Sequence, residues 1–383
     1  MSKTSKQSMA VIMGVSFVWF TTHFGGGFAS GAQLFSYFGR FGALSLLMPV
    51  LAMLYNAVFF GYALHFARKH NVYDYRSYNN AFYGKFAPVF SNLFEIIYLV
   101  TMCLAPSVAF ATGGATLSEV TGIPYMICTI IIGVFIFIIA IYGTGLVRKV
   151  SSVLSVVIIV GLMLVYIPNI AVGFGAITEA VKASSFDGIT VREALYSAFL
   201  YGSFQLINIA VFIQHAESFE KPADAKKSMG IGFVINAIMM VIVSLGLLSV
   251  SQNPEIAQQS VPTLFMVKNG VGASFMTPII SILIILGAVT TAVNMVAAMV
   301  KRITAGIARR KDKQNSEGSK NIKTTIIVAL ICCLVDFGIA QFGLLTLVKQ
   351  AYSMLAYLEI PVILIPYLIH MFYTRFGKKE VTK

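Results

Sequence analysis

Apolar runs long enough to cross a lipid bilayer recur along the whole of this chain, with short polar stretches between them. A helix needs about 20 predominantly apolar residues to cross the hydrocarbon core. In lipid every backbone amide must find its partner within the protein, so such runs fold as helices. Ten spans are expected, at 9–38, 42–66, 88–111, 123–142, 151–168, 191–215, 229–250, 274–300, 322–341 and 344–373. Charged residues make up 11% of the chain, against roughly a quarter in soluble domains, so much of the surface faces something other than water. The stretches between spans leave no room for a soluble domain. The chain therefore reads as one all-α membrane protein.

The net charge of +13 invites a nucleic-acid reading, but its placement argues against one. Lys and Arg sit in short loops between apolar runs, which is the pattern of topology signals. One side carries Lys3, Lys6, Arg68, Lys69, Arg76, Lys85, Arg148, Lys149, Lys221, Lys226 and Lys227. The same side carries Arg302, Arg309, Arg310, Lys311, Lys313 and Lys320 within the basic stretch 301–323, then Arg375, Lys378, Lys379 and Lys383. The other side has Arg40, Lys182, Arg192, Lys268 and Lys349. An even number of spans puts both termini together, and the asymmetry predicts that they are cytoplasmic, in the inner or plasma membrane. The expected partners are the bilayer and a small-molecule substrate, with no nucleic acid and no obligate protein partner.

Cys103, Cys128, Cys332 and Cys333 all fall inside apolar runs, without a CxxC pair, and read as small buried hydrophobes. The first run follows Lys3 and Lys6 as a signal peptide would. It continues past its glycines without a small-x-small cleavage site, so it reads as a span.

Two spans are interrupted. The first breaks at Phe24-Gly25-Gly26-Gly27-Phe28-Ala29-Ser30-Gly31, and the sixth near Tyr201-Gly202-Ser203-Phe204-Gln205. Each break opens a set of five spans. Because five is odd, the second set, 169–383, is inverted relative to the first, 1–168. Unwound segments at matching positions of two inverted halves point to a transporter's binding site.

Three consecutive glycines cost a helix about 1 kcal/mol each relative to Ala. They also leave backbone exposed at mid-membrane depth, which is tolerated only where protein or a wet cavity surrounds it. On the functional reading, carbonyls near His23 to Gly26 coordinate a cation. The amides that follow start a half-helix whose positive end faces an anionic group. Close helix packing through Gly27 and Gly31, a GxxxG pair, is the plainer alternative. Gly25, Gly26, Gly27, Ala29, Ser30 and Gln33 are the candidate substrate-binding residues of this break. Tyr201, Ser203, Phe204, Gln205 and Asn208 cluster at the second break and suggest a polar cavity with an aromatic wall, interhelical hydrogen bonding being the alternative. Tyr98 and Met102 of the third span complete the set. In the eighth span, Thr290 and Thr291 place adjacent hydroxyls in an apolar helix, with Asn294 nearby. Hydroxyls with backbone carbonyls make a hard oxygen site suited to Na⁺, although Thr hydroxyls also bond back to their own helix.

Ionisable residues inside spans are His23, Glu95, His215, Asp336 and Glu359. Each costs on the order of 2.5–3.5 kcal/mol at mid-helix, so each needs a reason. Glu95, His215 and Asp336 lie nearer span ends, where an interfacial position accounts for them. His23 and Glu359 lie deep and are the candidates for proton coupling.

The string Gly27-Phe28-Ala29-Ser30-Gly31-Ala32-Gln33 resembles the YkvI family of bacterial membrane proteins, with Ala32-Gln33 in place of the family's usual Gln-Glu. More broadly, the layout is similar to the amino acid–polyamine–organocation superfamily and its LeuT-like members. That resemblance implies a five-plus-five inverted repeat with the first and sixth helices unwound around the substrate. It also implies a sodium site built from first-helix carbonyls and a small-x-x-hydroxyl-hydroxyl pattern on the eighth helix. Gly287, Thr290 and Thr291 match that pattern, and with His23 and Gly26 they form the candidate metal set. No Lys stands in the span 151–168, unlike members that use a lysine there in place of sodium. This favours Na⁺ as coupling ion, with no other cofactor.

The sequence contains no Asp-rich motif, HExxH or GxSxG, so a membrane-embedded enzyme is disfavoured. The leading expectation is a secondary transporter of a small carboxylate-bearing solute, an amino acid or its derivative, driven by Na⁺. The alternatives are a proton-coupled transporter, an exchanger of organic amines, or a nutrient sensor on the transporter fold.

Overall fold

The computed structural model describes residues 3–311 and 322–374. Lys313 and Lys320 of the basic stretch, and Arg375, Lys378, Lys379 and Lys383 of the tail, lie outside the described residues. Among those described, the chain is helical throughout, without strands. Eight helices are long and apolar enough to cross a membrane. A bent pair, Val156–Val172 and Phe174–Lys182, meets at 70° and adds a ninth. The first span has a shorter apolar helix, Ser8–His23, followed by the pieces Gly26–Ala29 and Ala32–Phe38. The apolar runs thus lie largely in helices, consistent with the expected layout.

Several helices outrun the apolar stretch that announces them. The third span extends over Ala87–Thr121 and the eighth over Ala273–Lys311, because helix continues into water once nucleated. Apolar content marks only the membrane-embedded part. Short helices at Tyr75–Tyr83, Phe174–Lys182 and Pro262–Lys268 escape a search for spans because none is long enough to cross. The sixth span starts at Asp187, whose carboxylate accepts from the Ile189 and Thr190 amides. The Ser185 hydroxyl also donates to it, and these bonds together hold its pKa below the usual carboxylate range.

The long third and eighth spans pack together at the centre, and the first and second spans pack against the seventh. Small residues permit the close approaches. A β-carbon on Gly232 would strike the Trp19 ring at 2.5 Å, and Ser16 Oγ donates to Ser228 O at 2.7 Å. The fourth and ninth spans stand on the periphery. Their outer faces carry exposed Ile130, Ile131, Val134, Ile327, Leu330 and Leu334, which suits contact with lipid chains.

One expectation about intramembrane acids changes. Asp336 is buried, 3% exposed, and receives the Ser107 hydroxyl at 3.5 Å, so an interfacial position does not account for it. Glu95 is held by Arg302 in an ion pair and by the Tyr75 hydroxyl at 2.7 Å. These contacts tie the eighth span, the third span and helix Tyr75–Tyr83 together.

Candidate substrate cavity

The first span ends as a regular helix at His23, because Gly25 turns to an extended conformation (ψ −177°) and caps the four-residue helix Gly26–Ala29. Gly31 then adopts φ +77° and starts Ala32–Phe38, a conformation that favours glycine. The backbone groups freed by the break find partners in the protein, as burial requires. Ser30 O accepts the Thr263 amide at 2.9 Å, and Ser30 Oγ donates to Gly27 O at 3.0 Å. Tyr166 meets Thr263 Oγ1 at 2.6 Å. The short helix Pro262–Lys268 therefore splints the break, a role the sequence offered no period or motif to reveal.

The sixth span ends its regular helix at Ser203 and continues as the 3₁₀ turn Leu206–Asn208. Asn208 Nδ2 donates to Gln205 Oε1 at 2.9 Å. The Ile207 amide donates to Glu359 Oε2 at 2.8 Å. Gly202 lies so close to Tyr55 that a β-carbon would meet its ring at 2.4 Å.

Between the two breaks lies a cavity with about 70 Å³ open to the centres of water-sized molecules, where one water needs roughly 10–15 Å³. His23, Gly25, Gly26, Gly27 and Gln33 line it from the first span, and Phe204, Gln205, Ile207 and Asn208 from the sixth. Thr101, Ala105, Val108 and Ala109 of the third span, Thr291 and Met295 of the eighth, and Tyr352 and Leu355 of the tenth complete the wall. No Asp, Glu, Lys or Arg is among these residues. The polar groups are hydroxyls, amides, an imidazole and backbone, and Phe204 stacks on Tyr352 at 4.7 Å.

His23 is buried and bonded at both ring nitrogens. Nδ1 meets Asn236 Oδ1 at 2.8 Å and Nε2 meets the Tyr201 hydroxyl at 2.8 Å. Asn236 Nδ2 donates to Gly232 O, which leaves Asn236 Oδ1 as the acceptor. His23 Nδ1 then carries the proton, and Nε2 accepts from Tyr201. Tyr201 also lies 3.4 Å from Gln33 Oε1, so one hydroxyl of the sixth span meets both sides of the first span's break.

The first break lies directly on the eighth span. A β-carbon on Gly26 would be 2.8 Å from Ala288 Cβ, and one on Gly25 would be 3.3 Å from Thr291 Oγ1. Gly25, Gly26 and Thr291 are thus brought together. Thr290 and Thr291 both bond back one turn, to Leu286 O at 2.7 Å and Gly287 O at 3.0 Å. Thr291 nonetheless reaches the cavity, whereas Thr290 does not line it. Asn294 is exposed.

The remaining sequence candidates stand back from the cavity. Tyr201 acts on the wall through His23 and Gln33, and Ser203 is buried 3.3 Å from the Tyr55 hydroxyl. Ala29 and Ser30 are buried in the splinted break, and Met102 is buried on the third span. Tyr98 lies elsewhere, its ring tilted against Tyr75 with Arg302 over it. It stands on the same helix about one turn before Thr101 and two before Ala105, both of which face the cavity. Glu359 is fully buried behind Ile207 and does not line the cavity.

The sequence pattern of the amino acid permease family matches residues 6–381. The chain belongs to the amino acid permease family. This permease is therefore a multi-pass membrane transporter and not an enzyme. Among solved structures it is similar to the manganese transporter of Eremococcus coleocola, crystallised with an aromatic bis-isothiourea substituted compound. The likeness has a TM-score of 0.60 at 15% identity, over 100% of this chain and 83% of that one. At that identity what is shared is the LeuT-like fold. A substrate-bound, outward-open Na⁺-coupled sialic acid symporter matches with a TM-score of 0.48 at 13% identity, over 94% of this chain and 87% of that one. No curated protein sequence matches the permease.

Proposed function

We propose that this permease is a secondary transporter for a small zwitterionic carboxylate, an amino acid or a close derivative, that works by alternating access. The observation that carries the reading is a cavity between two helix breaks whose wall holds no charged side chain. A net cation would meet there only neutral dipoles and the Phe204–Tyr352 face. A carboxylate meets the backbone of Gly25 to Gly27, where the first amides of a restarted helix lack intrahelical acceptors. A zwitterion carries no net charge into the site, and each of its charged ends must still find hydrogen bonds there.

Na⁺ is the coupling ion on this reading. Thr291 Oγ1 lies against Gly25 at the contact between the first break and the eighth span, where carbonyls freed by the break would add further hard oxygens. Gly287 and Thr290 support the site from the same helix, and the His23 carbonyl adjoins it. The family pattern and the chain-long likeness to a transporter fold support the mechanism. The halves 1–168 and 169–383 serve as the two inverted repeats. The string Gly27–Gln33 supports a closer kinship with the YkvI-like group, and the Lys/Arg asymmetry supports a plasma-membrane orientation with both termini inside.

The purified permease in liposomes tests the reading. Radiolabelled alanine and leucine should accumulate under an inward Na⁺ gradient, and excess unlabelled amino acid should compete. The decarboxylated amines should not compete. Equal competition by amine and parent acid would remove the carboxylate from the argument.

A further inference from the structure

Glu359 is a buried acid that does not line the cavity. It is 0% exposed. One oxygen, Oε2, accepts the Ile207 amide at 2.8 Å, with the Leu206 amide beside it. The other, Oε1, is buried without a hydrogen-bond partner. No cation compensates it, because the ion pairs among the described residues are Arg40–Glu193, Lys268–Glu119 and Arg302–Glu95.

An ionised carboxylate offers about four acceptor sites. A buried one that is neither paired nor fully hydrogen-bonded takes up a proton instead. The groups around Glu359 do not change this. From the second span, Tyr55 lies near enough to sense its charge, and the Tyr55 hydroxyl is engaged with Ser203. On its own span, Tyr352 stacks on Phe204 and Tyr357 bonds Tyr196 at the surface. His370 bonds the Tyr62 hydroxyl, and Lys349 is exposed. Beyond Glu359, the Tyr83 hydroxyl donates to Val362 O. On the third span, Glu95 is neutralised by Arg302. On the sixth, Glu193 is taken by Arg40, and Leu206–Asn208 carries no titratable side chain.

The backbone at Glu359 is also unusual. A π-helical turn, Ile360–Leu364, follows it directly, and another, Leu347–Ala351, precedes it. Such turns are weak points in a helix ladder and are frequent at functional sites. The acid therefore joins the unwound part of the sixth span to a pliable part of the tenth.

We propose that Glu359 is a proton-binding site separate from the cation site, and that its proton is exchanged with water only when the sixth and tenth spans part. In the closed arrangement it is a neutral carboxylic acid that accepts from Ile207 N–H. When the crevice opens, water solvates Oε1 and the O–H proton leaves to that water, giving a carboxylate and a hydronium ion. Reprotonation from the opposite side restores the neutral acid, the empty permease having returned with its carboxylate still solvated. Transport is thereby linked to the pH gradient as well as to any Na⁺ gradient. The coupling rests on the transporter reading above, while the protonation state does not.

Infrared spectroscopy of the purified full-length permease tests the protonation directly. At neutral pH the wild type should show the carbonyl band of a protonated carboxyl in an apolar setting. The band should move on ¹³C-carboxyl labelling of glutamate, stay on labelling of aspartate, and vanish in Glu359→Gln. Absence of a glutamate-labelled band in the wild type would overturn the proposal, whatever the folding of the variant. For coupling, proteoliposomes clamped at zero potential with equal Na⁺ on both sides would be loaded with radiolabelled alanine under a gradient of about one pH unit. One coupled proton then changes the steady-state accumulation ratio by about tenfold. Glu359→Gln should lose that response and keep alanine counterflow. A variant that retains the full gradient response overturns the coupling. Wild-type vesicles that neither accumulate nor exchange alanine or leucine count against the amino-acid reading, and the infrared band then decides the proton site by itself.

Discussion

His23 of the first span and Tyr201 of the sixth meet through a 2.8 Å hydrogen bond, Nε2 to hydroxyl, at the wall of the central cavity. The contact joins the two interrupted helices by side chains, where a change in one break is felt at the other. Asn236 fixes the imidazole from the seventh span, so the surroundings select its tautomer.

Tyr201→Phe keeps the aromatic contacts with Tyr37, Phe38 and Phe204 and deletes the donor to His23. Leaving a buried ring nitrogen unpartnered costs about 1–3 kcal/mol. A lowered Tm with reduced uptake is expected. Tyr196→Phe, at the exposed Tyr196–Tyr357 pair, serves as the control and should leave both unchanged. Equal Tm and uptake for Tyr201→Phe and wild type would show that the link carries no weight.

Gly26→Ala should impair the protein because the new methyl would be 2.8 Å from Ala288 Cβ and 2.9 Å from Ala288 Cα. Backbone on the eighth span cannot yield as a flexible side chain can, and overpacking of this kind costs about 1–3 kcal/mol. Gly14→Ala has open space around it and sits in a regular helix, so it should be neutral or stabilising by up to about 1 kcal/mol. Paired thermal melts and uptake assays read the contrast. Wild-type behaviour of Gly26→Ala would show that the close approach is dispensable.

Thr291→Val removes the hydroxyl that faces Gly25, whereas Thr290→Val removes one turned back to Leu286 O. If Na⁺ binds between the first break and the eighth span, replacing choline by Na⁺ should raise the wild-type melting temperature. At ten times the dissociation constant the gain is ~1.4 kcal/mol. Thr291→Val should lose most of this shift and Thr290→Val should lose less. An undiminished Na⁺ shift in Thr291→Val rules out its hydroxyl as a ligand.

Membrane orientation is read by labelling single cysteines placed in a cysteine-free background. In intact cells Gln258→Cys should react with an impermeant thiol reagent and Lys301→Cys should not, because the Lys/Arg asymmetry places the latter inside. The opposite pattern would invert the topology.

The sequence by itself determined the helical class, the membrane setting and the positions of both breaks. Each of these follows from local chemistry: an apolar run must become a helix in lipid, and three glycines weaken that helix wherever it goes. It also pointed to His23, Gly25, Gly26, Gly27, Gln33, Phe204, Gln205, Asn208 and Thr291, all of which line the cavity. Polar or glycine residues at mid-membrane depth have few other tenable positions. Which level of the third span meets the cavity was decided only in three dimensions. Tyr98, Thr101 and Ala105 share one face at i, i+3 and i+7, and of these only Thr101 and Ala105 stand at cavity depth. The splint from Thr263 to Ser30, the Tyr201–His23 bond and the capture of the Ile207 amide by Glu359 are likewise long-range contacts. Backbone freed by a break must be satisfied by some partner, and only the tertiary arrangement of the spans selects which one.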